Sequence, residues 1–250
     1  MTTLTADDVA GRLAALRERI VGAGGSPDDV TIVAVTKGFG AEAVEAALAA
    51  GVTDVGESYA QELEAKATEV EAAGHGPGSD THGPGRDPGP DAHGPEAHGR
   101  CRWHFLGRVQ RNKVRALAPL VHLWQAVDRE AAGREIARRA PGSRVLVQVN
   151  VSGEQAKAGC TFDEAPQLVD VLRGLGLDVR GLMAVGPSGE PELARPGFRR
   201  LRGLADDLGL DERSMGMTGD LEVAVQEGTT MVRVGRALFG NRPVRTPVRR

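Results

Sequence analysis

Apolar residues recur along the chain in two alternating periods. Leu4, Val9, Leu13, Leu16 and Ile20 fall three to four apart, the spacing that lays one apolar stripe along a helix over residues 5–21. Val30-Thr-Ile-Val-Ala-Val-Thr36 is short, β-branched and almost continuously apolar, which reads as a buried strand, and an alanine-rich helical pattern follows over 41–50. The same pair returns as 52–55 with 57–72, 102–106 with 109–117, and 122–127 with 129–139. It continues as 144–150 with 163–175, 179–185 with 191–208, 212–215 with 221–227, and 231–234 with a short end.

Continuous apolar strands alternating with helices mark a parallel sheet covered on its outer face. Eight such units predict an α/β protein, a (β/α)8 TIM barrel. A doubly wound sheet would more often carry five or six strands and a glycine-rich turn after the first.

One stretch breaks the rhythm. Residues 74–99 hold 8 Gly and 5 Pro, and their only apolar side chains are alanines. Such a segment buries too little surface to offset the entropy of ordering it. It is expected to be a disordered insertion between the helix of the second unit and the third strand, with ends within roughly 25–30 Å of each other. Four of the six histidines (His75, His82, His93, His98) lie in it. A metal site is the less favoured reading, because zinc sites use tighter pairs and usually thiolates. Residues 1–250 are otherwise expected to form one domain.

Composition narrows the function. Lys+Arg 31 against Asp+Glu 34 gives a net charge of -3, which argues against wholesale nucleic-acid binding. The two cysteines, Cys101 and Cys160, are too few for a disulfide framework, as expected of a cytoplasmic protein. The N-terminus shows no secretory pattern, and no apolar run approaches the roughly 20 residues that span a bilayer.

In a barrel of this kind the active site forms at the carboxyl ends of the strands, and phosphate is commonly held after strands 7 and 8. Lys37 ends the first strand. An ordinary lysine is neutral in about one molecule in 10³ at pH 7, so burial or nearby cations are what make such an amine a nucleophile toward aldehydes. The plainer alternative is a lysine pairing with a carboxylate such as Glu57. The seventh strand runs into Ser214-Met-Gly-Met-Thr-Gly-Asp220, two hydroxyls and two glycines ahead of a helix, which reads either as an anion cradle or as a helix capped by Thr218. Arg233 lies within the apolar eighth strand on the face of Met231 and Gly235, so it points into the barrel toward a ligand or a structural ion-pair partner. Trp103, His104 and Phe105 read as core, with His104 a candidate for the mouth, and Asn150 carries no assigned role.

These residues resemble a known family, the pyridoxal phosphate homeostasis proteins, short relatives of the N-terminal barrel of alanine racemase. The resemblance runs through Ala34-Val-Thr-Lys37, Gly56-Glu57 with Gln61-Glu62, Trp103-His-Phe-Leu-Gly107, Gln110-Arg-Asn-Lys113 and Gln148-Val-Asn150. It continues through Lys157-Ala-Gly159, Gly181-Leu-Met183, Ser214-Met-Gly-Met217, and Val232-Arg-Val-Gly235 to Phe239-Gly240. It implies a cofactor, pyridoxal 5'-phosphate (PLP), bound through a Schiff base to Lys37. It implies that Ser214, Thr218 and the backbone near Gly235 hold the phosphate and that Arg233 faces the pyridine nitrogen. Ser58 stands where this family usually has asparagine.

An arginine at the ring nitrogen weakens carbanion chemistry, because it donates a hydrogen bond without protonating the ring. Alanine racemase adds a second base, a tyrosine from a partner's extra β domain, whereas this chain ends soon after the eighth strand and its only tyrosine is Tyr59. The resemblance therefore implies a carrier more than a catalyst: PLP storage, transfer to apo-enzymes and limitation of free aldehyde, in a monomer without nucleic-acid or membrane partners. The alternatives are a weak amino-acid racemase or a cofactor-free lysine aldolase. An adaptor resting on Arg242, Arg245, Arg249, Arg250 and Gln110–Lys113 is the remotest.

Overall fold

The computed structural model describes residues 4–75, 101–154 and 157–242. A first helix, α1 (Ala6–Gly22), leads into β1 (Thr31–Val35), α2 (Ala41–Ala49), β2 (Asp54–Glu57) and α3 (Ala60–Ala72). Next come β3 (Arg102–Phe105), α4 (Arg111–Leu117), β4 (Val121–Val127), α5 (Glu130–Arg139), β5 (Arg144–Gln148) and α6 (Ala165–Gly174). The order ends with β6 (Asp178–Met183), a 3-10 turn (Pro191–Ala194), α7 (Arg195–Asp207), β7 (Glu212–Ser214), α8 (Leu221–Gln226), β8 (Met231–Val234) and α9 (Arg236–Phe239).

The eight strands pair in sequence order, all parallel, and β8 returns to β1 to close the ring. The expected (β/α)8 barrel is the observed fold. The insertion after α3 lies, apart from Gly74 and His75, outside the described residues, as do Arg245, Arg249 and Arg250.

The sequence periods account for the elements. In α1 the apolar stripe Val9, Leu13, Leu16 and Ile20 is buried. A capping box starts the helix, Thr5 Oγ1 accepting from the Asp8 amide at 3.1 Å while the Asp8 carboxylate accepts from the Thr5 amide at 3.1 Å. Alternation sorts the strands. Trp124, Val127, Val145 and Val147 face outward onto the helices, whereas Val33, Leu123, Ala126, Leu146, Met183 and Met231 fill the barrel. Gly181 is needed where β6 meets β7, since a Cβ there would lie 1.9 Å from the Glu212 carbonyl oxygen.

Two helices differ from expectation. The stretch 191–208 divides into the 3-10 turn and α7, because Pro196 lacks an amide hydrogen and fits a helix only in its first turn. The helix expected from residue 57 starts at Ala60, since Glu57 completes β2 and its Oε1 accepts the amides of Ser58 (2.6 Å) and Tyr59 (3.2 Å).

Candidate functional site

Lys37 sits two residues beyond β1, at the carboxyl-end mouth of the barrel. Its turn is held from both sides by α3. Lys66 Nζ donates to the Thr36 carbonyl at 2.8 Å, and the Gly38 amide donates to Glu62 Oε2 at 3.0 Å. Gly38 takes φ +80°, a conformation that only glycine adopts without strain.

Glu57 makes no ion pair with Lys37. It is fully buried, and its Oε2 lies 2.6 Å from Lys66 Nζ. The pairing alternative for Lys37 therefore fails, and no hydrogen bond or ion pair ties its amine to another described residue. Burial lowers the Lys37 pKa most, with Arg242 and Arg233 adding repulsion and Glu57 opposing them. The net direction is downward. Lys66 pairs with Glu57 at 2.6 Å and reaches Glu62 at 3.4 Å, and the cations that act on Lys37 are Arg242 and Arg233.

Glu62 was noted in the sequence only as part of a motif and Lys66 was missed, although a signal for Lys66 was present. Leu63, Lys66, Ala67 and Val70 form the buried stripe of α3, so a lysine occupies a core position of an amphipathic helix.

Arg233 points into the barrel as expected and is only 5% exposed. Its Nη1 donates to the Ser214 carbonyl and hydroxyl, both at 2.7 Å, and its Nη2 donates to the Ala184 carbonyl at 2.6 Å. The expected ion-pair alternative is not what holds it, since all three acceptors are neutral oxygens. Burial pulls its pKa down to about 10 while Asp220 acts against that, so it keeps its charge at pH 7. Gly235 follows β8 where a Cβ would press within 3.0 Å of the Val35 carbonyl, which brings the end of β8 against the strand that carries Lys37.

Ser214 departs from its expected place. Its side chain is fully buried, its hydroxyl donates to Gln125 Oε1 at 2.7 Å and it receives Arg233, so it has no hydrogen left for a phosphate. Thr218 is half-buried with a hydroxyl that makes no hydrogen bond to a described residue, and its carbonyl accepts from Arg19 at 3.0 Å. Thr218 does not cap α8; Asp220 is the N-cap residue, and its Oδ1 accepts the Met217 amide at 2.7 Å. His104 lies inside the barrel, not at the mouth. Asn150 ties its own loop, donating to the Glu154 carbonyl at 2.8 Å.

The Gln110–Lys113 motif divides between two clefts. Gln110 and Lys113 join Ser58, Tyr59, Phe105 and Arg108 around a cleft of about 270 Å³ beyond the ends of β2 and β3. Arg111 and Asn112 line a larger groove of about 530 Å³ between α4 and α5, away from the strand ends, where Glu135 pairs with Arg138 and Arg139.

Residues 9–243 match the family model described as alanine racemase, N-terminal domain. The chain belongs to that family. Within the alanine racemase N-terminal domain family, it is similar to the pyridoxal phosphate homeostasis protein of Pseudomonas aeruginosa, 38% identical over 99% of both chains. The Escherichia coli protein of the same name is 32% identical over 94% of this chain and 97% of its own. Among solved structures, PipY of Synechococcus elongatus with PLP bound is 29% identical, with a TM-score of 0.72 over 93% of this chain and 100% of that one.

The donor set fits that cofactor. A half-buried amine with a lowered pKa, a Thr218 hydroxyl without a hydrogen bond to a described residue, and the cations Arg242 and Arg233 acting on that amine suit an aldehyde carrying a phosphate.

Proposed function

We propose that the chain binds pyridoxal 5'-phosphate through Lys37 and serves intracellular PLP homeostasis, storing the cofactor, limiting free aldehyde and supplying apo-enzymes. The carrying observation is the Lys37 amine, half-buried, without an ion-pair partner among the described residues, and shifted toward its neutral form by burial and by Arg242 and Arg233. The names of the Pseudomonas aeruginosa and Escherichia coli relatives and the PLP-bound PipY structure support the same reading.

Lys37 would take the cofactor's aldehyde carbon, Arg233 would face the ring nitrogen, and Thr218 with the backbone around Gly235 would hold the phosphate. Bound there, the cofactor supplies an electrophilic carbon that exchanges between amines. The α3 contacts to Thr36 and Gly38 orient the Lys37 turn, and Arg233, as a cation, would offer the ring nitrogen a hydrogen bond without giving up its proton.

We read the chain as one PLP-binding barrel domain working as a cytoplasmic monomer. A closed strand ring leaves no edge to pair, and the exposed large apolar side chains among the described residues, Val21, Tyr59, Leu193 and Met217, are few. No helix among the described residues is long and apolar enough to cross a membrane.

Borohydride treatment of protein purified with its natural ligand, followed by peptide mapping, tests this function. A pyridoxyl mass on the peptide containing Lys37 is the expected result. A colourless protein that gains mass there only from a phosphorylated sugar would establish the aldolase alternative, and steady amino-acid racemisation would establish the racemase.

A further inference from the structure

Polar side chains from five strands form one hydrogen-bonded line through the interior of the barrel. Arg233 Nη1 donates to Ser214 Oγ at 2.7 Å, and Ser214 Oγ donates to Gln125 Oε1 at 2.7 Å. Gln125 Nε2 meets His104 Nδ1 at 2.7 Å, and His104 Nε2 meets Asp54 Oδ1 at 2.9 Å. One proton arrangement runs through every link in the same sense. With Gln125 Oε1 accepting from Ser214, its amide hydrogen is given to His104 Nδ1, which leaves the imidazole proton on Nε2 for the Asp54 carboxylate. The line therefore runs from a buried cation to a buried carboxylate with every donor pointing the same way.

Burial makes this arrangement consequential. Ser214 and Gln125 are 0% exposed and His104 1%, in a barrel otherwise filled by Val33, Leu123, Leu146, Met183 and Met231. Hydrogen bonds in such surroundings polarise one another, and an unmatched polar group there is expensive. Among the described residues no carboxylate lies within hydrogen-bonding distance of Arg233; besides the Ser214 and Ala184 carbonyls, its one side-chain acceptor is a hydroxyl whose own proton is drawn toward Gln125.

We propose that Gln125 and His104 are positioning residues for Arg233: acting through the Ser214 hydroxyl, they fix the orientation of the guanidinium that faces the cofactor. The proposal rests on the PLP reading for its consequence and on the interior geometry for its cause. Ser214 is accordingly a support for Arg233.

The test compares full-length Gln125→Met and Gln125→Glu. Methionine matches the volume and breaks both links, whereas glutamate keeps the acceptor for Ser214. Two readouts are followed. In cofactor-free protein, NMR measures hydrogen exchange of the Arg233 guanidinium; in protein loaded with PLP, the visible absorption band and the rate of PLP loss are recorded. Gln125→Met is expected to speed guanidinium exchange and PLP loss by about tenfold and to move the band, with Gln125→Glu restoring both. Gln125→Met added to Ser214→Ala should produce no loss beyond Ser214→Ala alone. Wild-type exchange and retention in Gln125→Met, or full multiplication of the two losses, would overturn the proposal. If Gln125→Met does not fold, His104→Gln takes its place under the same criteria. A wild-type protein that takes up no PLP defeats the homeostasis reading, and the cofactor-free exchange still decides this one.

Discussion

The Lys66 ammonium lies 2.6 Å from the Glu57 carboxylate, and the two side chains are 5% and 0% exposed. The pair does more than balance charge. Lys66 also reaches the Thr36 carbonyl and Glu57 holds the two amides just ahead of α3, so one buried ion pair joins the Lys37 turn to its neighbouring unit.

Removing one partner of such a pair leaves a buried charge unmatched. Lys66→Met is expected to destabilise the fold by about 3–5 kcal/mol, and adding Glu57→Gln to recover part of the loss. Urea unfolding of the two single variants and the double variant checks this; equal loss in Lys66→Met and in the double variant would contradict it.

Lys37→Ala should leave the fold intact, with a stability change of about 1 kcal/mol or less, because the amine makes no hydrogen bond to a described residue and is only partly buried. The same variant should gain no pyridoxyl mass after borohydride. Calorimetry and mass spectrometry follow the two effects separately.

The Lys37 pKa is lowered, so in the folded chain the neutral amine appears at a lower pH than in an unfolded one. Its charged form is disfavoured by folding, and its contribution to stability therefore improves as pH rises from its depressed value toward the ordinary lysine value of 10.5. The rate at which cofactor-free protein takes up PLP should climb with pH through the depressed value. Arg242→Gln should shift that climb to higher pH by removing a repulsive charge, and a shift to lower pH would refute the assignment of Arg242 to the mouth.

Burial, the largest cause for both thiols, raises the pKa of Cys160 to about 12 and that of Cys101 further. Neither should be alkylated by iodoacetamide at pH 8 in the native protein, and both should react in urea, as mass spectrometry will report.

Gly181→Ala should weaken the barrel by about 1–3 kcal/mol or more, since the added methyl meets the Glu212 backbone and no side chain can move to relieve it. A wild-type thermal midpoint would show that β6 and β7 can separate at little cost.

Much of this protein is local in origin. Continuous apolar strands, amphipathic helices and their order are properties of neighbouring residues, and they were sufficient to predict the eight units, the barrel, Lys37 at its mouth and Arg233 pointing into it. What the chain does with Ser214, Lys66, Gln125 and His104 is not local. Each is a polar residue whose partners lie on other strands or helices: Ser214 and Gln125 are 89 positions apart, and His104 and Asp54 are 50. Burial converts a polar side chain into one that must find a specific acceptor or donor, and closure of the ring determines which one is within reach. Residue pattern thus determined the scaffold and the place of Lys37 at its mouth, while the inward pairing around Arg233 was decided only when strands distant in sequence met around a common axis.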